Sequence, residues 1–408
     1  MTTPTTVLYL DHTAKISGGE IALLRLIRAL DRTLVTPIVL LGEDGPLMVR
    51  LTDAGIETHV MPLDPSISQV RKDTLGLGAL KYATRLMSLI RYSRRVARFA
   101  RERNVDILHT NSLKADIYGA FAARLCRKPV VWHVRDHIDP SYLPRPAVFL
   151  FRAMARILPN YILTNSQSTL DHLLLHNARR AVVVPSGVVV NRFVVHDGID
   201  PNGLEYGHGH GHGHGQTICW DLPICIGIVG RIAKWKGQHI FLEAGAQLIE
   251  AGWDLSLIII GAPLFGEDAY ASELSQFVDK KGISDRVHFL GFCEDVQAEI
   301  RKLDILVHAS ISPEPFGQVV IEGMIESIPV IGTDGGGVSE IIQHGETGIL
   351  VPMGDAGALV RELKALLEDP EKAHTLGAAG RRHVVENFTV EQTARKVEAV
   401  YEEILHKR

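Results

Sequence analysis

Residues 224–230 read ICIGIVG, and a second run of the same kind, LSLIIIG, follows at 255–261. Both are apolar at successive positions rather than at alternate ones. A strand with one face in water alternates; a strand that is apolar throughout needs cover on both faces, as in a parallel sheet. The residues between the two runs leave room for the helical crossover that parallel strands require. Further runs follow at VHFLG (287–291), DILVHA (304–309), PVIG (329–332) and GILV (348–351), set apart by amphipathic segments. Working back to the start, the same rhythm appears at VLYLD (7–11), PIVLL (37–41), THVM (58–61), DILHT (106–110), VVWHV (130–134), YILT (161–164) and AVVVP (181–185). Two such arrays in succession predict an α/β chain of two doubly wound, Rossmann-like domains. Ligands of such folds sit beyond the carboxyl ends of the strands, so a cleft between the domains is the expected site.

The first domain is read as 1–190 and the second as 218–388, joined by a linker at 191–217 with no periodic signal. Within that linker, GHGHGHGHG (207–215) carries His208, His210, His212 and His214. Imidazoles at this spacing suit a borderline metal, but glycine at every second position makes ordering the run costly in entropy, and no carboxylate lies within it. A flexible joint is the reading adopted, with adventitious metal binding as the alternative. The last segment, FTVEQTARKVEAVYEEILHKR (388–408), places Val397, Val400, Tyr401, Ile404 and Leu405 at helical spacing.

With 408 residues, 46% hydrophobic and 22% charged, the chain has the composition of a globular protein with large cores. MTTPTTVLYLDH shows no basic n-region or cleavage site, and no uncharged apolar run reaches the roughly 18 residues of a bilayer span, so neither a signal peptide nor a membrane helix is expected. Cys126, Cys219, Cys225 and Cys293 show no paired spacing and read as reduced thiols of a cytoplasmic protein. The net charge of -4 hides an excess of positive charge in residues 1–190 and of negative charge thereafter. KYATRLMSLIRYSRRVARFARER (81–103) carries eight Lys/Arg and a single acid. It reads either as a basic amphipathic helix for an anionic membrane surface or as a solvated helix packed on the sheet. No nucleic-acid partner is expected.

The densest chemical signal is SPEPFGQVVIEGM (312–324), directly after a strand. Glu314 and Glu322 stand eight apart, and Gln318 to Met324 reads as the start of a helix whose free N–H groups suit an anion such as phosphate. Glu322, read as about two turns into that helix, would reach a sugar hydroxyl. A surface loop with two solvated glutamates is the plain alternative. GRIAKWKGQ (230–238) supplies Arg231, Lys234 and Lys236 at a strand-to-helix turn, a set that would neutralise a diphosphate. No Asp-x-Asp occurs, so a leaving nucleoside diphosphate would be stabilised by Arg231, Lys236 and backbone dipoles without a metal or other cofactor. In the first domain, Gly18-Gly19 of KISGGE (15–20) permits close backbone approach, yet the run is not GxGxxG and argues against a nicotinamide site. His133 in VVWHVRDH (130–137) lies near a strand's carboxyl end, where it is either structural or directed at the cleft. The glycines of DGGGVSEIIQHGETGILVP (334–352) would let the backbone approach a ligand.

These motifs in this order (SGGE, HVRDH, GRIAKWKG, EPFGQVVIE and GGGVSEIIQHGETGILVP) resemble glycosyltransferase family 4 over nearly the whole chain. The resemblance implies a GT-B fold with a central cleft, a retaining transfer from a nucleotide-sugar, and a last helix (about 389–408) that packs back on the first domain. It assigns Arg231, Lys236, Gly18 and Gly19 to the donor diphosphate, and Glu314 to the transferred sugar. Backbone N–H groups of Phe316, Gly317, Gln318 and Val319 would grip sugar and phosphate. Glu322 goes to the ribose, the loop around Phe292 to the base, and His133 beside the sugar. Membership implies a UDP-sugar first and a GDP-sugar next, with a glycan, lipid-linked or small-molecule acceptor. A sugar-nucleotide epimerase or a non-catalytic sugar-nucleotide-binding protein would share these features.

Overall fold

The computed structural model describes residues 4–64, 79–175, 180–190, 219–264 and 266–406, and within the helix at 79–102 the side chains from residue 85 on. The histidine run and the rest of 191–217 lie outside the described residues. Seven strands pair into one sheet: β1 (Thr5–Asp11), β2 (Val35–Leu41), β3 (Glu57–Val60), β4 (Ile107–Thr110), β5 (Val130–Val134), β6 (Tyr161–Thr164) and β7 (Ala181–Val183), in the order β3-β2-β1-β4-β5-β6-β7. Six form another: β8 (Ile224–Val229), β9 (Leu255–Ile260), β10 (Val287–Gly291), β11 (Ile305–Val307), β12 (Val330–Thr333) and β13 (Ile349–Val351), in the order β10-β9-β8-β11-β12-β13. Every strand ladder is parallel.

The chain divides into two compact units, residues 1–189 with 390–408, and residues 190–389. In β1, Leu8 and Leu10 face one layer, made with Tyr92 and Val96 of helix Ala79–Glu102, Tyr118 of Leu113–Cys126 and Phe151 of Arg145–Ile157. Val7 and Tyr9 face the other, made with Leu23 and Ile27 of helix Gly18–Ala29 and Val397 and Tyr401 of helix Val390–His406. Each buried Leu, Ile or Val contributes about 1.5–3 kcal/mol. A strand covered on both faces collects this at every residue, which is why these strands carry no polar alternation. In the second unit, Ile226, Ile228, Leu257 and Ile259 are buried against Phe241 of helix Gln238–Glu250 and Leu363 of helix Ala356–Glu368.

Both sheets reverse their direction of growth once, between β1 and β4 and between β8 and β11. At such a point the two loops leave neighbouring strands toward opposite sides of the sheet, opening a crevice at the carboxyl edge.

Candidate functional site

In the second unit the crevice lies beside β8 and β11. After β8 the chain passes Arg231, makes a 3-10 turn over Lys234–Lys236, and enters helix Gln238–Glu250 through Gly237. Gly237 has φ of 72°, and a Cβ there would fall 1.8 Å from the carbonyl oxygen of Ala309. Ile311 N–H donates to the Trp235 carbonyl at 2.8 Å. The lysine turn is thus pressed against the loop that follows β11, and only glycine fits at the point of contact.

That contact brings Lys236 to Glu314, 78 residues away in sequence. Lys236 Nζ donates to Glu314 Oε1 at 2.7 Å, and His308 Nε2 donates to the same oxygen at 2.8 Å. Ser310 Oγ donates to it as well. Burial alone would raise this carboxyl. The Lys236 ammonium, His308 and their hydrogen bonds outweigh burial and hold Glu314 well below the usual carboxylate range. An ionised carboxylate only accepts. His308 therefore donates through Nε2, and its Nδ1 lies 3.2 Å from Thr333 Oγ1, which fixes the ring from its other side. Lys236 Nζ also lies 4.6 Å from the Trp235 ring centroid, with the Arg231 guanidinium at 5.8 Å, so Trp235 gathers both cations.

The helix read from Gln318 to Met324 is present with those bounds, entered through Gly317 at φ of 105° without a side-chain cap. Glu322 is its fifth residue, a little over one turn in rather than two, and is buried. The glycines at 335–337 serve the protein itself first. Gly337 N–H donates to the Glu314 carbonyl at 2.8 Å, and a Cβ on Gly336 would fall 2.1 Å from that oxygen. Phe316 is buried and packs on Phe388, whereas Phe292, past edge strand β10, is 62% exposed.

In the first unit, Gly18 and Gly19 open helix Gly18–Ala29, and no protein atom lies within 4 Å of a Cβ built on Gly18. Asn111 Nδ2 donates to Asp11 Oδ2 at 2.8 Å and to the Gly19 carbonyl at 3.3 Å, tying this turn to the loop after β4. Glu20, bonded by Ser17 Oγ, is buried beside Asp11, and burial with that like charge pushes its carboxyl up to about 7. Arg135 donates to Asn111 Oδ1 and to Ser186 Oγ, both at 2.9 Å, and to His133 Nδ1 at 3.3 Å. His133, the fourth residue of β5, is wholly buried, and its Nε2 has no hydrogen-bond partner.

Motif reading passed over His308 and Ser310, which lie in or just beyond DILVHA, and Glu20, which lies in SGGE. It also passed over Arg135, two residues from His133 and so on the same side of an extended chain. His137, Asp139 and His172 bring one potential ligand atom each within 4.8 Å of one another. The two rings stack with centroids 4.1 Å apart and planes 11° apart. Imidazole lone pairs lie in the ring plane, so two parallel rings cannot converge on one ion.

The family model "Glycosyl transferase 4-like domain" matches residues 17–195, and "Glycosyl transferases group 1" matches 222–383. The chain belongs to this glycosyl transferase family. It is 29% identical over 294 residues to the lipopolysaccharide core biosynthesis mannosyltransferase LpsB of Rhizobium meliloti, covering 69% of this chain and 81% of that one. To the 2-deoxystreptamine glucosyltransferase of Streptomyces kanamyceticus it is 26% identical over 407 residues, 95% of this chain and 99% of the relative. The structure of Anabaena HepE with UDP aligns at a TM-score of 0.77 and 25% identity, over 98% of this chain and 100% of that one. The fold is GT-B and the protein is a glycosyltransferase.

Proposed function

We propose that this glycosyltransferase takes a sugar from a UDP-sugar, or next a GDP-sugar, to an acceptor hydroxyl, with retention at the anomeric carbon and without a metal. The observation that carries this reading is the Lys236–Glu314 pair at the β8/β11 reversal. A departing nucleoside diphosphate needs positive charge, and Arg231 and Lys236 supply it where a parallel sheet binds ligands. Of the three ammonium hydrogens on Lys236, Glu314 takes one, leaving donors for phosphate oxygens. Glu314 is held ionised, so it is no proton donor at neutral pH, and with three donors on Oε1 it is a weak nucleophile. Its role is to orient the transferred sugar through Oε2. In the transfer, the acceptor oxygen bonds to the anomeric carbon on the face that the diphosphate leaves. The carbon–oxygen bond to phosphate breaks, its electron pair goes to the diphosphate, and the diphosphate takes the acceptor proton.

The remaining assignments follow the same frame. Gly18, Gly19 and the backbone of Phe316 to Val319 serve phosphate and sugar, Glu322 the ribose, Phe292 the base and His133 the sugar. HepE is described with UDP and the two relatives as sugar transferases, which supports the donor class. For the acceptor, the first unit offers a distinctive surface. Helix Ala79–Glu102 exposes Arg91, Arg94, Arg95 and Arg98. Helix Arg145–Ile157 exposes Phe149 at 76% together with Leu150, Ile157 and Arg156. Both helices cover one face of the same sheet. Cations and exposed apolar side chains on one face of the same unit fit an anionic bilayer, the place of a lipid-linked acceptor. No helix among the described residues is long and apolar enough to cross a membrane. A cytoplasmic enzyme, peripheral on the inner membrane face, fits this arrangement.

A thermal-shift panel of UDP, GDP, ADP and their sugars tests the donor, since ligand at 100 times its Kd stabilises by about 2.7 kcal/mol. Turnover of donor without acceptor would favour an epimerase, and binding without any turnover a non-catalytic protein. Loss of activity in EDTA would end the metal-free reading.

A further inference from the structure

Four side chains buried in the first unit form one continuous chain of hydrogen bonds. Tyr9 and Tyr401 hydroxyls are 2.8 Å apart. Tyr401 Oη lies 2.6 Å from His109 Nδ1, and His109 Nε2 lies 3.1 Å from His133 Nδ1. Arg135 Nη2 closes on the same His133 nitrogen at 3.3 Å. All four residues are within 2% of complete burial.

The direction of every bond is set from the Arg135 end. A guanidinium only donates, so His133 Nδ1 accepts. His109 must then donate through Nε2, which leaves His109 Nδ1 as an acceptor. Tyr401 therefore donates to His109, and Tyr9 to Tyr401. The remaining hydrogen on the His133 ring sits on Nε2, which among the polar side-chain atoms of Tyr9, Tyr401, His109, His133 and Arg135 is the one buried without a partner. Burial and the Arg135 charge depress His109 to about 3 and hold His133 well below its ordinary value, so both rings are neutral.

We propose that Tyr401, on the last helix of the chain, is a positioning residue that works from the end opposite Arg135: it holds His109 in the tautomer whose Nε2–H donates to His133, and so steadies the ring whose Nε2–H Arg135 has set. This rests on the reading that His133 meets the donor sugar, where an oxygen atom would take that hydrogen. Removing the Tyr401 hydroxyl leaves His109 Nδ1 without a donor. His109 is then free to move its hydrogen to Nδ1, which would turn a lone pair toward His133 and loosen that ring.

The test is long-range 1H–15N correlation on the full chain labelled in its histidines, which reads the tautomer of each ring directly. Both rings are expected as the Nε2–H tautomer in the parent. Tyr401→Phe, which keeps the ring and its packing, is expected to convert His109 to a tautomer mixture and to lower kcat about tenfold with donor KM unchanged. Tyr9→Phe leaves Tyr401 able to donate, so both tautomers persist. A parent in which either ring carries its hydrogen on Nδ1 overturns the proposal, whatever Tyr401→Phe does to folding. So does a Tyr401→Phe protein with unaltered tautomers but reduced kcat. If the parent transfers no sugar, the proposed function fails while the tautomer measurement still decides this one.

Discussion

Lys236→Met replaces the ammonium beside Glu314 with an apolar chain of similar length. Glu314 is 7% exposed, and its carboxylate would keep only His308 and Ser310. Removing one partner of a buried ion pair costs about 3–5 kcal/mol. For a unit of this size each kcal/mol moves the melting midpoint by roughly 2–4 °C, so a fall of roughly 6–20 °C is expected at neutral pH. The pH dependence has a definite sign. In the parent, Glu314 titrates below its unfolded value, so its contribution is present at neutral pH and lost only in acid. In Lys236→Met the same buried carboxyl lacks its cation and protonates more readily than in the parent, so the gap between the two proteins narrows as pH falls from neutral into acid. Adding Glu314→Gln removes the stranded charge and should recover part of the loss. Binding separates from folding when UDP titrations are run well below both midpoints. One lost charge-assisted bond, about 1.5–3 kcal/mol, weakens UDP roughly 10- to 150-fold. A variant that melts within 1 °C of the parent on the order of measurement error and binds UDP equally well would refute the reasoning.

Glu20 should act in the opposite sense. Its folded value of about 7 lies above the ordinary 4.5, so its contribution to stability falls as pH rises between the two. Glu20→Gln, which mimics the protonated form, is expected to flatten that slope and to melt higher than the parent at pH about 8. Gly237→Ala sets a Cβ into the Ala309 carbonyl and forces alanine to a left-handed φ; a loss of at least about 3 kcal/mol is expected by chemical denaturation. Phe149→Glu with Leu150→Glu should reduce co-sedimentation with anionic vesicles at low salt and leave neutral vesicles unaffected; unchanged binding would remove helix Arg145–Ile157 from the membrane reading.

The fold was highly legible because most of its strands are buried on both faces; β5 and β6 occupy the ranges of their apolar runs, and so does β10, although at the sheet edge its His288, Phe289 and Leu290 are exposed. The site was legible as parts. Lys236 and Glu314 each stood out in a motif, but their pairing is set by the adjacency of β8 and β11 and by the close approach at Gly237, neither of which local pattern encodes. The Tyr9–Tyr401 bond joins residues 392 apart, and both side chains read as ordinary apolar positions of a strand and a helix. Glu322 was placed too deep although the helix start at Gln318 was read correctly, because the fifth residue of a helix stands only a little over one turn from its start.

The first unit is made of two separated pieces of chain, residues 1–189 and 390–408, with the whole second unit between them. On a ribosome adding about 5–20 residues per second, the sheet of the first unit exists for roughly 10–40 s before helix Val390–His406 can cover it. Through that interval Val7, Tyr9, Leu23 and Ile27 lack part of their final cover. The unit begun first is finished last, and the nascent chain must shield an unfinished apolar face while its neighbour folds.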